Sequence, residues 1–327
     1  MASEGSERLA LLREAHALWS ELGDVPGRLR VEVVLGERSS LADERARGRA
    51  AAHQLRDLGV RVEQAALAAG VLQGFGVGAS GALAVRVLGG FSVLVAGRPV
   101  PISAWGSRKA RDLLKILVAR RGRAVPRETL MEILWPAEEP EPLSNRLAVA
   151  VATVRGVLDP ARAHDTERYV GADPESVWLR LDAVSVDVET FLADAAAGQA
   201  LLRHGRESDA VGLLEAAEEA YAGDALEEDP YEDWSTGLRE EARAAYIGVV
   251  AALAAIAQRR GDSEASARYL LRLLARDPYD EGAHLGLVAT LDGAGRHGEA
   301  RRRYRMYVER MRELEVEAAP FPVPNAS

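Results

Sequence analysis

Apolar residues recur at helical spacing in three short stretches between Ser107 and Leu158, in the segment SRKARDLLKILVARRGRAVPRETLMEILWPAEEPEPLSNRLAVAVATVRGVL, each opened by a cap and closed by Gly or Pro. In the first, Leu113, Leu114, Leu117 and Val118 form one stripe behind a Ser107 cap. The second opens at Pro126 and Arg127, turns Leu130, Ile133 and Leu134 inward and ends at Pro136. The third, capped by Ser144 or Asn145, carries Leu147, Val151, Val154 and Leu158 at i, i+4, i+7 and i+11, a core-facing stripe. Arg146, Val149, Ala150, Thr153 and Gly156 are left for its outer face. On both sides the period changes to two. Leu83 to Ile102 alternates around the turn signals Gly89-Gly90 and Gly97-Arg98-Pro99, and Arg168 to Leu181 reads as a hairpin about Asp173-Pro174. Strands, three helices and a terminal hairpin predict a winged helix-turn-helix over residues 83–182.

The flanks are helical, so the chain as a whole is expected to be mainly α with a small β component. Residues 1–72 contain four amphipathic patterns stopped at Gly23, Gly36, Gly59 and Gly70, a degenerate helical-repeat segment that cannot complete a core alone. A Gly-rich linker follows at 73–82. Within it Gly76 to Gly81 fits the G-x-G-x-x-G dinucleotide fingerprint, but a helix precedes it, a strand follows, and the acidic partner about 20 residues on is missing. The flexible-linker reading is therefore adopted. From residue 183 the helices repeat: Gly205, Gly261 and Gly295 are each followed five residues later by Ala210, Ser266 or Ala300, and Gly261 and Gly295 stand 34 apart, the tetratricopeptide period. Leu270 and Tyr304, then Leu273 and Tyr307, hold matching core positions. Residues 183–318 thus predict tetratricopeptide-like repeats, a platform for protein partners, and 319–327 a disordered tail. The acidic run Asp224 to Trp234 lacks the central Gly and ligand spacing of a calcium loop and reads as a solvated loop pinned by Tyr231 and Trp234.

A net charge of −9 seems hostile to nucleic acid, but the acid is unevenly placed. Residues 82–182 hold 15 basic and 12 acidic side chains, whereas residues 183 onward hold 16 and 27. Arg108, Lys109, Arg111, Lys115, Arg120, Arg121, Arg123 and Arg127 face Asp112 alone over twenty residues. Such a local footprint can hold phosphate although the chain is acidic; a solvated helix face is the competing reading. The absence of cysteine excludes a disulfide framework, a zinc ribbon and a thiolate nucleophile, and fits a reducing cytoplasm. No apolar run reaches membrane-span length and the N-terminus lacks signal-peptide features, so a cytoplasmic protein without membrane contact is expected. The six histidines are scattered, with no nucleophile elbow or P-loop, so no catalytic residue, metal or cofactor is expected.

Several short motifs carry a resemblance. Val85-Arg86-Val87-Leu88-Gly89, Gly97-Arg98-Pro99-Val100, Ser107 to Leu114, Leu134-Trp135-Pro136 and Asn145-Arg146-Leu147 resemble the antibiotic-regulatory-protein (SARP, AfsR-like) family of bacterial transcription regulators, over about residues 83–318. The resemblance implies an OmpR-type winged helix joined to a bacterial transcriptional activator domain, with the third helix in the major groove and the wing on the backbone. DNA contacts would then come from Arg127, Asn145, Arg146, Thr153, Arg155, Arg168 and Tyr169, with Arg146 and Arg155 near bases and Arg127 and Arg168 on phosphates. The loop carrying Glu138, Glu139 and Glu141 would meet RNA polymerase, although a plain solvated loop fits equally. Self-association on double-stranded DNA is a further option. One departure from the family is the small outer face, with Ala148, Ala150, Ala152 and Gly156: bidentate base readout needs Arg, Asn or Gln, which leaves thymine-methyl contacts and DNA shape to add specificity. The alternative is a helical-repeat adaptor whose degenerate winged helix does not bind DNA.

Overall fold

The computed structural model describes residues 12–17, 19–20, 25–38, 51, 83–136, 138 and 140–322. It divides into two compact units, Met1–Ala193 with Ala220–Ala242, and Asp194–Glu219 with Arg243–Ser327. In the N-terminal segment α1 (Val25–Arg38) runs through Gly36, where the sequence predicted a stop. Its Val31 and Leu35 pack on Leu12, Ala15 and Trp19, and Glu32 lies 2.9 Å from His16 Nε2. The other two expected helices, apart from Ala51, and the G-x-G-x-x-G motif lie outside the described residues.

The winged helix follows its sequence pattern closely. Strands β1 (Leu83–Arg86), β2 (Ser92–Val95) and β3 (Arg98–Pro99) form an antiparallel meander with Val85 opposite Val93. A 3-10 turn (Ile102–Trp105) leads to α2 (Arg108–Ala119), whose cap Ser107 accepts the Lys109 amide at 3.1 Å. After β4 (Val125–Pro126) come α3 (Arg127–Leu134), α4 (Pro140–Leu158), β5 (Val170–Ala172) and β6 (Ser176–Leu179). The last two strands are the predicted hairpin, and β4 joins them in a three-stranded wing sheet ordered β4-β6-β5. Two details differ from expectation. Helix α4 begins at Pro140, so Ser144 and Asn145 lie inside it rather than capping it; proline's fixed φ and missing N–H suit a first helical turn, whose amides have no intrahelical acceptor. Ala150, expected on the outer face, is buried.

The first unit does not end with the wing. Strand β7 (Ser185–Val186) pairs in parallel with β1 and leads into α5 (Asp187–Arg203). The Asp187 carboxylate accepts the amides of Val87, Leu88 and Val188 at 2.8–3.1 Å; burial pushes its pKa up, against those hydrogen bonds. Far along the chain, the acidic run after α6 (Glu207–Ala220) lies against the same sheet. Leu226 donates its amide to Val87 O at 2.8 Å, Leu88 bridges Ala225, and the side chains of Ala225 and Leu226 are buried. Backbones meet so closely here that a Cβ on Gly89 (φ +73°) would lie 2.9 Å from the Ala222 carbonyl carbon, and one on Gly223 would lie 2.7 Å from Gly89 Cα. Only glycine fits either position.

Charge completes this docking. Lys115, only 3% exposed, lies 2.6 Å from Asp229 and 3.2 Å from Glu228, and Arg111 lies 2.8 Å from Glu228. Both cations also stand 5.2 Å from the Phe91 ring centroid. Burial alone would raise the Glu228 carboxyl, but the Phe91 amide, Lys115 and Arg111 together hold it below the usual range. Arg239 fixes the segment from behind through the carbonyls of Ala225, Asp229 and Pro230. The solvated loop expected here is therefore a docked strap, and Tyr231, expected to pin it, is 96% exposed. The strap's ion-pair partners, Arg111 and Lys115, stand 113 to 117 residues away in sequence, beyond the reach of any local pattern.

Helix α7 (Asp233–Arg259) starts in the first unit and passes into the second at Arg243, where α8 (Ser263–Arg276), α9 (Glu281–Gly293) and α10 (His297–Glu313) continue the repeats. Gly205, Gly261 and Gly295 all take φ of +72° to +75°, and each is followed by an amide that reaches back five residues: Arg206 to Leu201, Asp262 to Ala257, Arg296 to Leu291. That repeated helix stop makes the three Gly-to-small-residue motifs equivalent, and Ala210, Ser266 and Ala300 are all fully buried. Beyond the boundary drawn at residue 318 the chain still packs: the Ala319 amide donates to Tyr307 Oη at 2.7 Å, Tyr304 Oη donates to Ala319 O at 2.8 Å, and Phe321 meets Tyr304 edge-on. The expected tail thus starts as docked chain, and residues 323–327 lie outside the described residues.

Lys115→Met is expected to cost about 3–5 kcal/mol, because it keeps the apolar stem but leaves the Asp229 carboxylate buried without its cation, whereas the double variant Lys115→Met with Asp229→Leu, which removes both charges, costs far less. Urea unfolding of both variants checks this. Because the Glu228 pKa is lowered on folding, its contribution is present above the unfolded carboxylate value and is lost as pH falls through the folded one, so the stability gap between wild type and Glu228→Gln narrows in acid.

Candidate nucleic-acid interface

Helix α4 has two faces of opposite character. Leu143, Leu147, Ala150, Val151, Val154, Val157 and Leu158 are buried on one, and Asn145, Arg146, Ala148, Val149, Ala152 and Gly156 are exposed on the other. The exposed face is low: Ala148, Ala152 and Gly156 let the helix backbone come near any surface laid against it. At its start an open groove of about 380 Å³ is lined by Ser107, Lys109, Trp135, Asn145, Arg146, Val149, Ala150 and Thr153.

The polar groups on this face are partly engaged. Arg146 is ion-paired with Glu138 from the preceding loop. Thr153 donates its hydroxyl to Val149 O at 2.8 Å. Glu139 lies outside the described residues, and Glu141 falls in the first turn of α4, with its side chain outside those described. Arg155 points to the wing: Nε and Nη2 donate to Val170 O at 3.1 and 2.8 Å, and Nη2 stands 3.4 Å from Glu167.

The wing is braced from the other side by Arg127, whose amide donates to Glu175 O and whose Nε donates to Asp173 O, at 2.8 and 2.9 Å. Asp173 Oδ1 closes the turn by accepting the amides of Glu175 and Ser176. Gly171 sits directly across from Trp178, whose ring fills the place of a Cβ. The tip itself carries Asp173 and Glu175, both exposed, so cationic contact falls to the root, where Arg168 is exposed. Tyr169 beside it meets His164 edge-on, and burial pushes its phenol pKa up.

The basic run in the sequence does not form one stripe. Arg111 and Lys115 hold the strap, Arg127 holds the wing, and Arg121 is bound to Glu189 at 2.6 and 2.8 Å and to Glu241 at 2.5 Å. The Glu189 hydrogen bond raises the Arg121 pKa, and the Arg121 backbone lies in the left-handed region at φ 52°. Arg108, Lys109, Arg120 and Arg123 remain at the surface, with Arg108 86% exposed and 3.8 Å from Asp112. Sequence reasoning placed the cations but missed which of them are structural, because Glu189, Glu228, Asp229 and Glu241 are all remote in sequence. It also did not place Ser107 and Lys109 beside the exposed face of α4, where they line the same groove. Among the described residues no cluster of His, Asp and Glu could hold a metal ion, and no helix is long and apolar enough to cross a membrane.

A winged helix followed by helical repeats defines a two-part transcription regulator. The family model for "Transcriptional regulatory protein, C terminal" matches residues 103–171, and that for "Bacterial transcriptional activator domain" matches residues 186–321. With both domains in this order, the chain is a SARP-like transcriptional regulator. The fold is also that of Mycobacterium tuberculosis EmbR, solved in complex with a low affinity phosphopeptide, at a TM-score of 0.60 and 24% identity over 73% of this chain. The chain spans 62% of that EmbR chain. No curated protein matches it.

Removing the brace between α4 and the wing, by Arg155→Ala, is expected to cost about 1–3 kcal/mol locally, since Val170 O loses a charged donor. Amide exchange should quicken in β5 and β6 and stay unchanged in α8 to α10. Equal protection in both proteins would show that the wing stands without Arg155.

Proposed function

We propose that this regulator binds promoter DNA in the cytoplasm, with the exposed face of α4 in the major groove and the root of the wing on the backbone. The observation that carries the reading is the bare face of α4 on a helix whose opposite face is wholly core, beside a wing braced by Arg127 and Arg155. Asn145 and Arg146 supply base-edge donors and acceptors, Lys109 and Arg168 supply charge for phosphates, and Thr153 and Tyr169 complete the contact surface. Arg127 and Arg155 act by orienting the wing. Residues 1–72 and the helical repeats serve protein partners rather than DNA.

Duplex affinity measured across a salt series tests this reading, because each phosphate contact releases counterions and steepens the dependence of log K on log salt. Arg146→Ala is expected to cost about 1–3 kcal/mol and relax preference at one base pair, whereas Arg168→Ala weakens all sequences alike. The capture of three of the eight cations of the basic run, Arg111, Lys115 and Arg121, by acids of the same unit favours the second reading, an adaptor without DNA affinity. No duplex binding at low salt would decide for the adaptor. Footprints of paired half-sites would support self-association on DNA.

The loop before α4 is the proposed RNA polymerase contact. Arg146 cannot pair with Glu138 and read a base at once, so engagement of DNA would free Glu138 for a basic partner surface. Changing Glu138, Glu139 and Glu141 to Ala is expected to leave DNA affinity unchanged or slightly raised at fixed salt while transcription from a responsive promoter falls. Full activation by the triple variant would return the loop to the role of a connector.

A further inference from the structure

Val149 sits near the middle of the exposed face of α4, 66% exposed, the one large aliphatic side chain among the exposed residues described on that helix. Its neighbours along the face, Ala148 and Ala152, are too short to cover it or to keep another surface away from it. One turn further on, Thr153 has its hydroxyl turned back onto the Val149 carbonyl at 2.8 Å, which leaves the threonine methyl for any outside partner. Val149 and Thr153 also line the same open groove as Asn145, Arg146, Ser107 and Lys109. An apolar pair one helical turn apart therefore lies among hydrogen-bonding and cationic groups, on a face low enough for close approach.

In the major groove, the 5-methyl of thymine is the apolar group that a base pair presents, and aliphatic side chains recognise it by contact alone. We infer that Val149, backed by the Thr153 methyl, is a thymine-methyl site that fixes a T·A pair next to the base read by Arg146. This rests on α4 being the DNA-reading helix and adds to that reading the base selected and the atom that selects it. Specificity then comes from one polar contact at the start of the helix and one apolar contact a turn later, which answers the scarcity of Arg, Asn and Gln on the face.

Deoxyuridine isolates the methyl, since it keeps the hydrogen bonds of thymine and lacks only that group. The full chain is used to enrich a duplex from a random pool, and each thymine of the enriched site is replaced in turn by deoxyuridine. At one position, or two adjacent ones, wild type is expected to lose affinity by roughly fourfold, the worth of one buried methyl. Val149→Ala should bind the thymine duplex weaker by a similar factor and be indifferent to deoxyuridine at that position. Because Val149 is exposed, this variant keeps its fold, and Val149→Thr, with the same shape and one methyl exchanged for hydroxyl, should fall between the two. Wild type indifferent to deoxyuridine everywhere, or Val149→Ala keeping the full deoxyuridine penalty, overturns the site while leaving DNA binding intact. Failure to enrich any duplex overturns the DNA reading itself, and this site with it.

Discussion

A buried ammonium organises the first unit. Lys115 is on the inner side of α2, and without the two carboxylates of the strap its charge would stand in a low-dielectric core, a state that folding cannot tolerate. Glu228 and Asp229 are held in turn by Arg111, the Phe91 amide and the three carbonyl contacts of Arg239. The winged helix consequently depends on residues more than a hundred positions downstream, within the segment that the activator-domain family model covers. Family boundaries divide the sequence where the physics does not.

That dependence explains the behaviour of the basic run. A stretch with one acid in twenty residues reads as a polyanion site, and four of its cations do remain at the surface. The other four hold structure: Arg111, Lys115 and Arg121 meet carboxylates supplied from far along the chain, and Arg127 meets a backbone carbonyl of the wing. The strongly acidic balance after residue 183 then has a structural part: some of those carboxylates are counter-ions for the winged helix. Helix α2 links both roles, since its capped start lines the groove beside α4 while its inner face and the turn beyond it are clamped by the strap, Glu189 and Glu241.

The exposed face of α4 is the opposite, with little charge and little bulk. In the proposed complex, small residues on α4 would let the helix backbone come near DNA, and selectivity would rest on Asn145, Arg146, Val149 and Thr153. Bracing matters more on such a face. With few contacts to correct its position, a wing fixed by Arg127 on one side and Arg155 on the other would keep the helix and the proposed backbone contacts in register.

The sequence by itself determined the elements and their order. Period-two and period-3.6 patterns located the meander, the three helices and the hairpin; the glycine spacing located the repeats, whose identical left-handed stops and buried small residues match. Such features are local, fixed by φ restrictions and by which side chains share a face. Only the tertiary structure decided which charges are paired, that Asp224 to Trp234 is a docked strap, that Gly89 and Gly223 must be bare for two backbones to meet, and that Ala150 is core. Those outcomes depend on segments brought together from far apart in the chain, and no periodicity within either partner records the other.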